Sequence, residues 1–153
     1  MKLNLGCGTD YREGYCNIDH RENIHCDQLW DLQDPLPFPA ASIEQILAYD
    51  ILEHFPPNVG NALLTQWINL LQPGGTLICR VPDLRRLAEM YLHGEMSTPF
   101  YAWHLYGGQD YPSNAHHHGF DPASFCEGIE AKGMITDQIE TLGTNLVWTG
   151  HKP

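Results

Sequence analysis

A chain of 153 residues has room for one domain, and an apolar content of 42% is enough to build its core. The net charge of -11, with 8 Lys plus Arg and no basic run, argues against a nucleic-acid partner, whose affinity rests on phosphate neutralisation. Five cysteines without CxxC spacing argue against a disulfide framework or a zinc knuckle. No apolar run is long enough to span a membrane, and a first strand at residue 3 leaves no place for a signal peptide, so a cytoplasmic protein with reduced thiols is expected.

In chain order, residues 3–5 and 16–19 read as short buried strands and residues 24–30 as a weaker third. Between the first two lies Gly6-Cys7-Gly8, where glycine admits positive φ and close approach of a ligand to the main chain. The second strand ends on Asp19, a carboxylate placed to accept hydrogen bonds from a ribose diol. Residues 34–39 are a proline-rich loop, and residues 43–49 a further apolar strand. Leu63, Leu64, Trp67, Ile68 and Leu71 mark an amphipathic helix over 61–71, stopped by Pro73-Gly74-Gly75. A strand at 76–81 follows. Asp83 is an N-cap for a helix that buries Leu84, Leu87, Ala88, Tyr91 and Leu92 and ends at Gly94. Residues 95–120 are irregular, aromatic and histidine-rich. Asp121-Pro122 opens a helix to about residue 131, and strands at 134–142 and 145–150 close the chain.

Alternating strands and helices imply an α/β domain with a mostly parallel sheet, spanning 1–153 with a lid-like insert at about 95–120. The helices at 61–71 and 83–93 are expected on one face by the right-handed crossover rule. Residues 6–16 and 20–23 are too short for crossover helices, so the other face looks sparsely covered. The expectation is that residues 95–120, a second copy in a homodimer, or a partner subunit covers it.

The ordered segments Leu3–Asp10, Asn17–Asp19, Asp31–Pro39, Ile46–Phe55, Leu71–Leu77 and Val81–Leu84 resemble the class I S-adenosylmethionine-dependent methyltransferases. The resemblance implies a Rossmann-like fold with strand order 3-2-1-4-5-7-6 and a C-terminal antiparallel strand. It implies S-adenosyl-L-methionine as cofactor and S-adenosyl-L-homocysteine as product. Gly6, Cys7 and Gly8 would form the floor under the methionine half and Asp19 would take the ribose hydroxyls. His20 would lie near adenine, with Asp31 taking its exocyclic amine and the Leu32 backbone reading a ring nitrogen. Tyr49, Asp50 and His54 would stand beside the methyl group, His54 being a candidate base for a hydroxyl acceptor. Two positions depart from the usual pattern. Asn4 replaces a common acidic residue and can still bond the loop backbone, while Asp10 replaces a third glycine and either attracts the cofactor's positive groups or caps the turn.

Tyr106-Gly107-Gly108-Gln109 and His116-His117-His118-Gly119-Phe120-Asp121 resemble a subgroup of small methyltransferases associated with sugar and cell-surface glycan biosynthesis. That resemblance implies an insert over the active site, with Tyr106, Gln109 and His117 toward a small-molecule acceptor such as a sugar hydroxyl and His118 as base or orienting group. Consecutive histidines diverge, so no metal is expected of them. Two alternatives stay open: a cofactor-binding module without transfer activity, and a metal-dependent hydrolase using the 116–118 cluster. An NAD-dependent oxidoreductase is disfavoured, because Tyr11 stands where the last glycine of the dinucleotide fingerprint belongs.

Overall fold

The computed structural model describes residues 1–153. Its strands are β1 (Lys2–Leu5), β2 (Cys16–Asp19), β3 (Gln28–Leu29), β4 (Ile43–Tyr49), β5 (Leu71–Pro82), β6 (Ile135–Leu142) and β7 (Asn145–His151). The helices are α1 (Pro57–Leu70), α2 (Leu84–Leu92), α3 (Thr98–Tyr106) and α4 (Pro122–Glu130). One seven-stranded sheet runs β3-β2-β1-β4-β5-β7-β6, the order the resemblance implies. β1 to β5 pair in parallel, and β7 is antiparallel to both β5 and β6.

The alternation of strand side chains sends Leu3, Leu5, Ile18, Ile46, Ala48, Leu77, Cys79, Val81, Leu146 and Trp148 to one face, where they form a continuous core. α1 contributes Leu63, Leu64, Trp67, Ile68 and Leu70 to it, and α4 contributes Phe125 and Ile129. α2 contributes nothing, which corrects the expectation that it would lie beside α1. It buries only Leu87, leaves Leu92 81% exposed and packs on α3, where Tyr91 stacks on Tyr101 at 4.5 Å. The reason lies at Asp83. Its side chain accepts from the Arg85 and Arg86 amides, and the Leu84 amide donates to the Phe120 carbonyl at 2.8 Å. Residues 84–119 therefore form an excursion that leaves and returns at the end of β5, and α4 makes the crossover to β6.

The opposite face has no crossover helix, because the connections from β1 to β2 and from β2 to β3 are too short to hold one, and its residues match that exposure. Register places Lys2, Gln45, Thr76 and His151 in one row, Asn17, Asn4, Leu47, Ile78 and Thr149 in the next, and Tyr49, Arg80, Val147 and Glu140 in a third. These rows are mostly polar. Arg12 and Arg80 lie over the Tyr49 ring at 5.1 and 4.7 Å, and the Tyr15 hydroxyl donates to Gln45 at 2.5 Å. Long amphipathic side chains thus cover part of this face, on which Leu47 and Val147 are buried. Residues 95–120 sit at the carboxyl ends of the strands rather than on this face.

Four elements differ from the sequence expectation. The third strand shrinks to two residues. α1 begins at Pro57, four residues early, because proline is accommodated in a first turn whose amides need no partner. β5 starts at Leu71, with Gln72 to Gly75 bulged between pairs Ile43–Leu71 and Gln45–Thr76. The Lys152 ammonium donates to the Ile68 and Leu71 carbonyls at 3.0 and 2.9 Å, closing the C-terminal end of α1. Finally, α3 forms within the stretch read as irregular. Of its nine residues only His104 is buried, so no apolar stripe announces it. No disulfide joins the cysteines, and no helix is long and apolar enough to cross a membrane.

Candidate functional site

The turn after β1 is held by its own glycines and by buried amides. Gly6 and Gly8 take φ of +61° and +53°. A Cβ on Gly6 would stand 2.6 Å from the Ile51 side chain. Asn4 donates to the Asp10 carbonyl at 2.7 Å and to the Asn17 side chain at 2.9 Å, and Asn17 in turn donates to the Arg12 and Tyr15 carbonyls at 3.0 Å. Two asparagine amides thereby organise a β1–β2 connection that has no helix.

Asp19 is buried at the end of β2. Its carboxylate accepts from the Gly8 amide at 2.8 Å, the Arg21 amide at 2.9 Å and the Arg21 guanidinium at 3.1 and 3.4 Å. Burial raises its pKa, but the Arg21 side chain and the two amides outweigh burial and hold it below the usual carboxylate range. All four lone-pair positions are occupied, so the guanidinium must give way before ribose hydroxyls can bind there. The Arg21 guanidinium also lies over the Tyr111 ring at 5.0 Å.

Two adjoining cavities open at the carboxyl ends of the parallel strands. The larger, about 530 Å³, is lined by Asn4, Gly6–Asp10, Tyr49, Arg80 and the insert residues Trp103, His104 and His116. The second, about 380 Å³, is lined by Asp19, His20, Asp31, Leu32, Gln33, Ile51, Phe55 and His117. Gly6, Arg21, Asp50, His54 and Tyr111 wall both. The predicted cofactor residues therefore converge on this site. Cys7 is buried, and burial together with the nearby Asp19 carboxylate pushes its thiol up to about 11. Asp10 is paired with Arg12 at 2.7 Å and Asp50 with Arg80, and Asp50 holds a φ of +53°. Asp31 accepts from the Gln33 amide at 2.9 Å and His20 meets Ser113 of the insert at 3.1 Å.

On the insert side, Glu53, His54 and His116 each offer one donor atom within 4.8 Å of the others. His54 Nδ1 lies 3.2 Å from the Ala115 carbonyl and His116 Nδ1 lies 2.8 Å from the His104 carbonyl. A carbonyl can only accept, so both rings are protonated at Nδ1 and keep a lone pair at Nε2. Burial lowers both histidine pKa values, with His116 adding to the effect at His54 and His104 at His116, so both stand neutral at neutral pH. Burial pushes the Glu53 carboxyl well above the usual range, the Asp50 charge adding to it.

Three predicted residues lie elsewhere. His118 packs on Phe120 at 4.3 Å and lines a third cavity between α1 and α4, away from the Gly6–Gly8 turn. Its main-chain amide, like that of His117, bonds the Glu53 carbonyl, and its Nδ1 is buried without a hydrogen-bond partner. Tyr106 is 60% exposed and outside both cavities, and Gln109 folds back on the Tyr106 carbonyl at 3.2 Å. Of the histidine triplet, only His116 joins the cluster, which corrects the 116–118 grouping. Arg21, Arg80 and the Asn17 side chain were not singled out in the sequence. Arg80 left one signal there, a charge inside an apolar strand.

No protein-family model matches the sequence, and no curated protein matches it. Solved structures do. One is a chain of the complex between the Haloferax volcanii Trm112 methyltransferase activator and a methyltransferase, with TM-score 0.70 and 14% identity over 99% of this chain and 81% of that one. A second is a SAM-dependent methyltransferase from Archaeoglobus fulgidus, with TM-score 0.70 and 14% identity over 99% and 85%. A third is the Burkholderia thailandensis 1,6-didemethyltoxoflavin-N1-methyltransferase with bound 1,6-didemethyltoxoflavin and S-adenosylhomocysteine, with TM-score 0.67 and 14% identity over 99% and 70%. At such identity the likeness is one of fold, and the chain has the Rossmann-like fold of the S-adenosylmethionine-dependent methyltransferases.

Proposed function

We propose that the protein transfers a methyl group from S-adenosylmethionine to a small polar acceptor. The observation that carries this reading is the convergence of the Gly6–Gly8 cradle, Asp19, Asp31 and Leu32 on joined cavities at the carboxyl ends of β1, β2 and β4. The residues fit the cofactor: the turn allows close main-chain approach, Asp19 is a ribose acceptor once Arg21 moves, and Asp31 faces the second cavity. When bound, the cofactor supplies a methyl carbon activated by sulfonium charge. The chain's own work is alignment and exclusion of water. The Gly6–Gly8 turn and the Asp31–Leu32 corner hold the two halves of the donor. Trp103, His104, Tyr111 and His116 close the larger cavity from the insert side. His54 presents Nε2 there, available as a base for an acceptor proton or as a ligand for a cation that acidifies the acceptor. A hydroxyl acceptor suits such a wall, and a sugar or glycan precursor is our preferred class, on the resemblance of the 106–121 segment.

The reading is tested by calorimetric binding of S-adenosylhomocysteine to wild type, Asp19→Ala and Arg21→Ala. Micromolar binding is expected in wild type, its loss in Asp19→Ala, and severalfold tighter binding in Arg21→Ala, which frees two acceptor positions. Absence of binding to a folded wild-type protein would overturn the reading.

A further inference from the structure

We propose that Glu53, His54 and His116 form a binding site for a divalent transition metal of the zinc type, at the insert-side wall of the larger cavity. The three residues come from two places in the chain, the turn after β4 and the end of the insert, and their donor atoms lie within 4.8 Å of one another. The set is two imidazoles and a carboxylate, the donor composition of a catalytic zinc site with an open fourth position.

Two independent features point to a ligand. Glu53 is 1% exposed, yet its Oε2 has no hydrogen-bond partner in a buried setting where an unpaired acceptor is costly. Each imidazole is also set as a metal-ligating imidazole usually is. Nδ1–H donates to a main-chain carbonyl, Ala115 for His54 and His104 for His116, which fixes the tautomer and leaves Nε2 free. The two rings meet edge to face at 4.8 Å. The amides of His117 and His118 bond the Glu53 carbonyl at 2.7 and 3.3 Å, so the two ligand-bearing segments are already tied together. Tetrahedral bonds of about 2.1 Å separate ligand atoms by about 3.4 Å, so the widest pair must close by somewhat over an ångström, within reach of side-chain rotation.

All three residues line the larger cavity, so the open position faces it. A hydroxyl oxygen of the acceptor is the ligand that fits there; this second part rests on the methyl-transfer reading, whereas the metal site does not.

The test is equilibrium dialysis of the purified, chelator-stripped full chain against Zn²⁺, and a visible absorption spectrum with Co²⁺ as the spectroscopic substitute. Expected are one tightly bound Zn²⁺ per chain and a Co²⁺ spectrum of low coordination number with histidine ligation. His116→Ala should weaken Zn²⁺ at least a hundredfold and Glu53→Gln about tenfold, while His118→Ala leaves it unchanged, with circular dichroism to check folding. If His116→Ala does not fold, wild-type histidine ring resonances decide: Zn²⁺ must shift those of His54 and His116 and spare His118. No stoichiometric Zn²⁺ in wild type, unweakened binding in folded His116→Ala, or resonance shifts confined to other histidines overturns the proposal. Binding of S-adenosylhomocysteine, measured with and without metal on the same sample, reports on the methyl-transfer reading separately.

Discussion

At Asp19 and Arg21 a single ion pair couples stability to ligand access. The carboxylate is 3% exposed and ties the Gly8 turn to β2 through its contact with the Gly8 amide. Its folded pKa lies below its unfolded value, so the stability it adds is fully present above the ordinary carboxylate range and is lost as pH falls through the folded value. Asp19→Asn is expected to cost about 1–3 kcal/mol at neutral pH, the scale for removing one partner of a buried hydrogen-bonded group. The gap to wild type should shrink below about pH 4. Urea unfolding at neutral and acidic pH checks this, and a gap that widens in acid contradicts it. At the same scale lies a limit of sequence reading. Asp19 was identifiable as the strand-end carboxylate, but its occupation by a residue two positions on depends on a side-chain rotamer that no spacing rule encodes.

Among the elements, the excursion between β5 and α4 matters most for the site. It is anchored where Asp83 caps α2 and also accepts from the Thr141 hydroxyl at 3.1 Å, while the Asp83 amide bonds the Thr144 carbonyl. Asp83→Ala is expected to cost about 1–2 kcal/mol through the lost cap. Hydrogen exchange should quicken in α2 and α3 while the amides of β1 and β4 keep their protection. Uniform loss of protection across the sheet would show that the anchor serves the whole fold instead. The cap at Asp83 and that at Asp121 were legible because N-caps follow local rules. α3 was not, because its aromatic residues point to solvent and to cavity walls rather than along one buried stripe.

For the whole molecule, the association state is expected to follow from the helix-free face. That face presents Lys2, Gln45, Thr76, His151 and Thr149, with Arg12 and Arg80 enclosing Tyr49. A second copy or a partner subunit would meet polar groups there that must be desolvated and paired. Sedimentation at micromolar concentration is therefore expected to show a monomer. A stable dimer protected at β4 and β5 in hydrogen exchange would contradict this and bear out the expectation of a subunit covering that face.

The sequence by itself determined the order of the strands and of every helix but α3, the Gly6–Gly8 turn, the carboxylates Asp19 and Asp31, and the caps at Asp83 and Asp121, because each follows from contacts between neighbours in the chain or from strand and helix periods. It also determined that one face would lack helices, since connections that short cannot hold them. Tertiary structure alone decided that α4 rather than α2 completes the core, that His116 and not His118 turns toward Glu53 and His54, and that Arg21 sits on Asp19. These outcomes depend on where a long excursion closes and which way each side chain points on its return. That orientation is set by packing between segments some sixty residues apart, as in the bond from His54 to the Ala115 carbonyl.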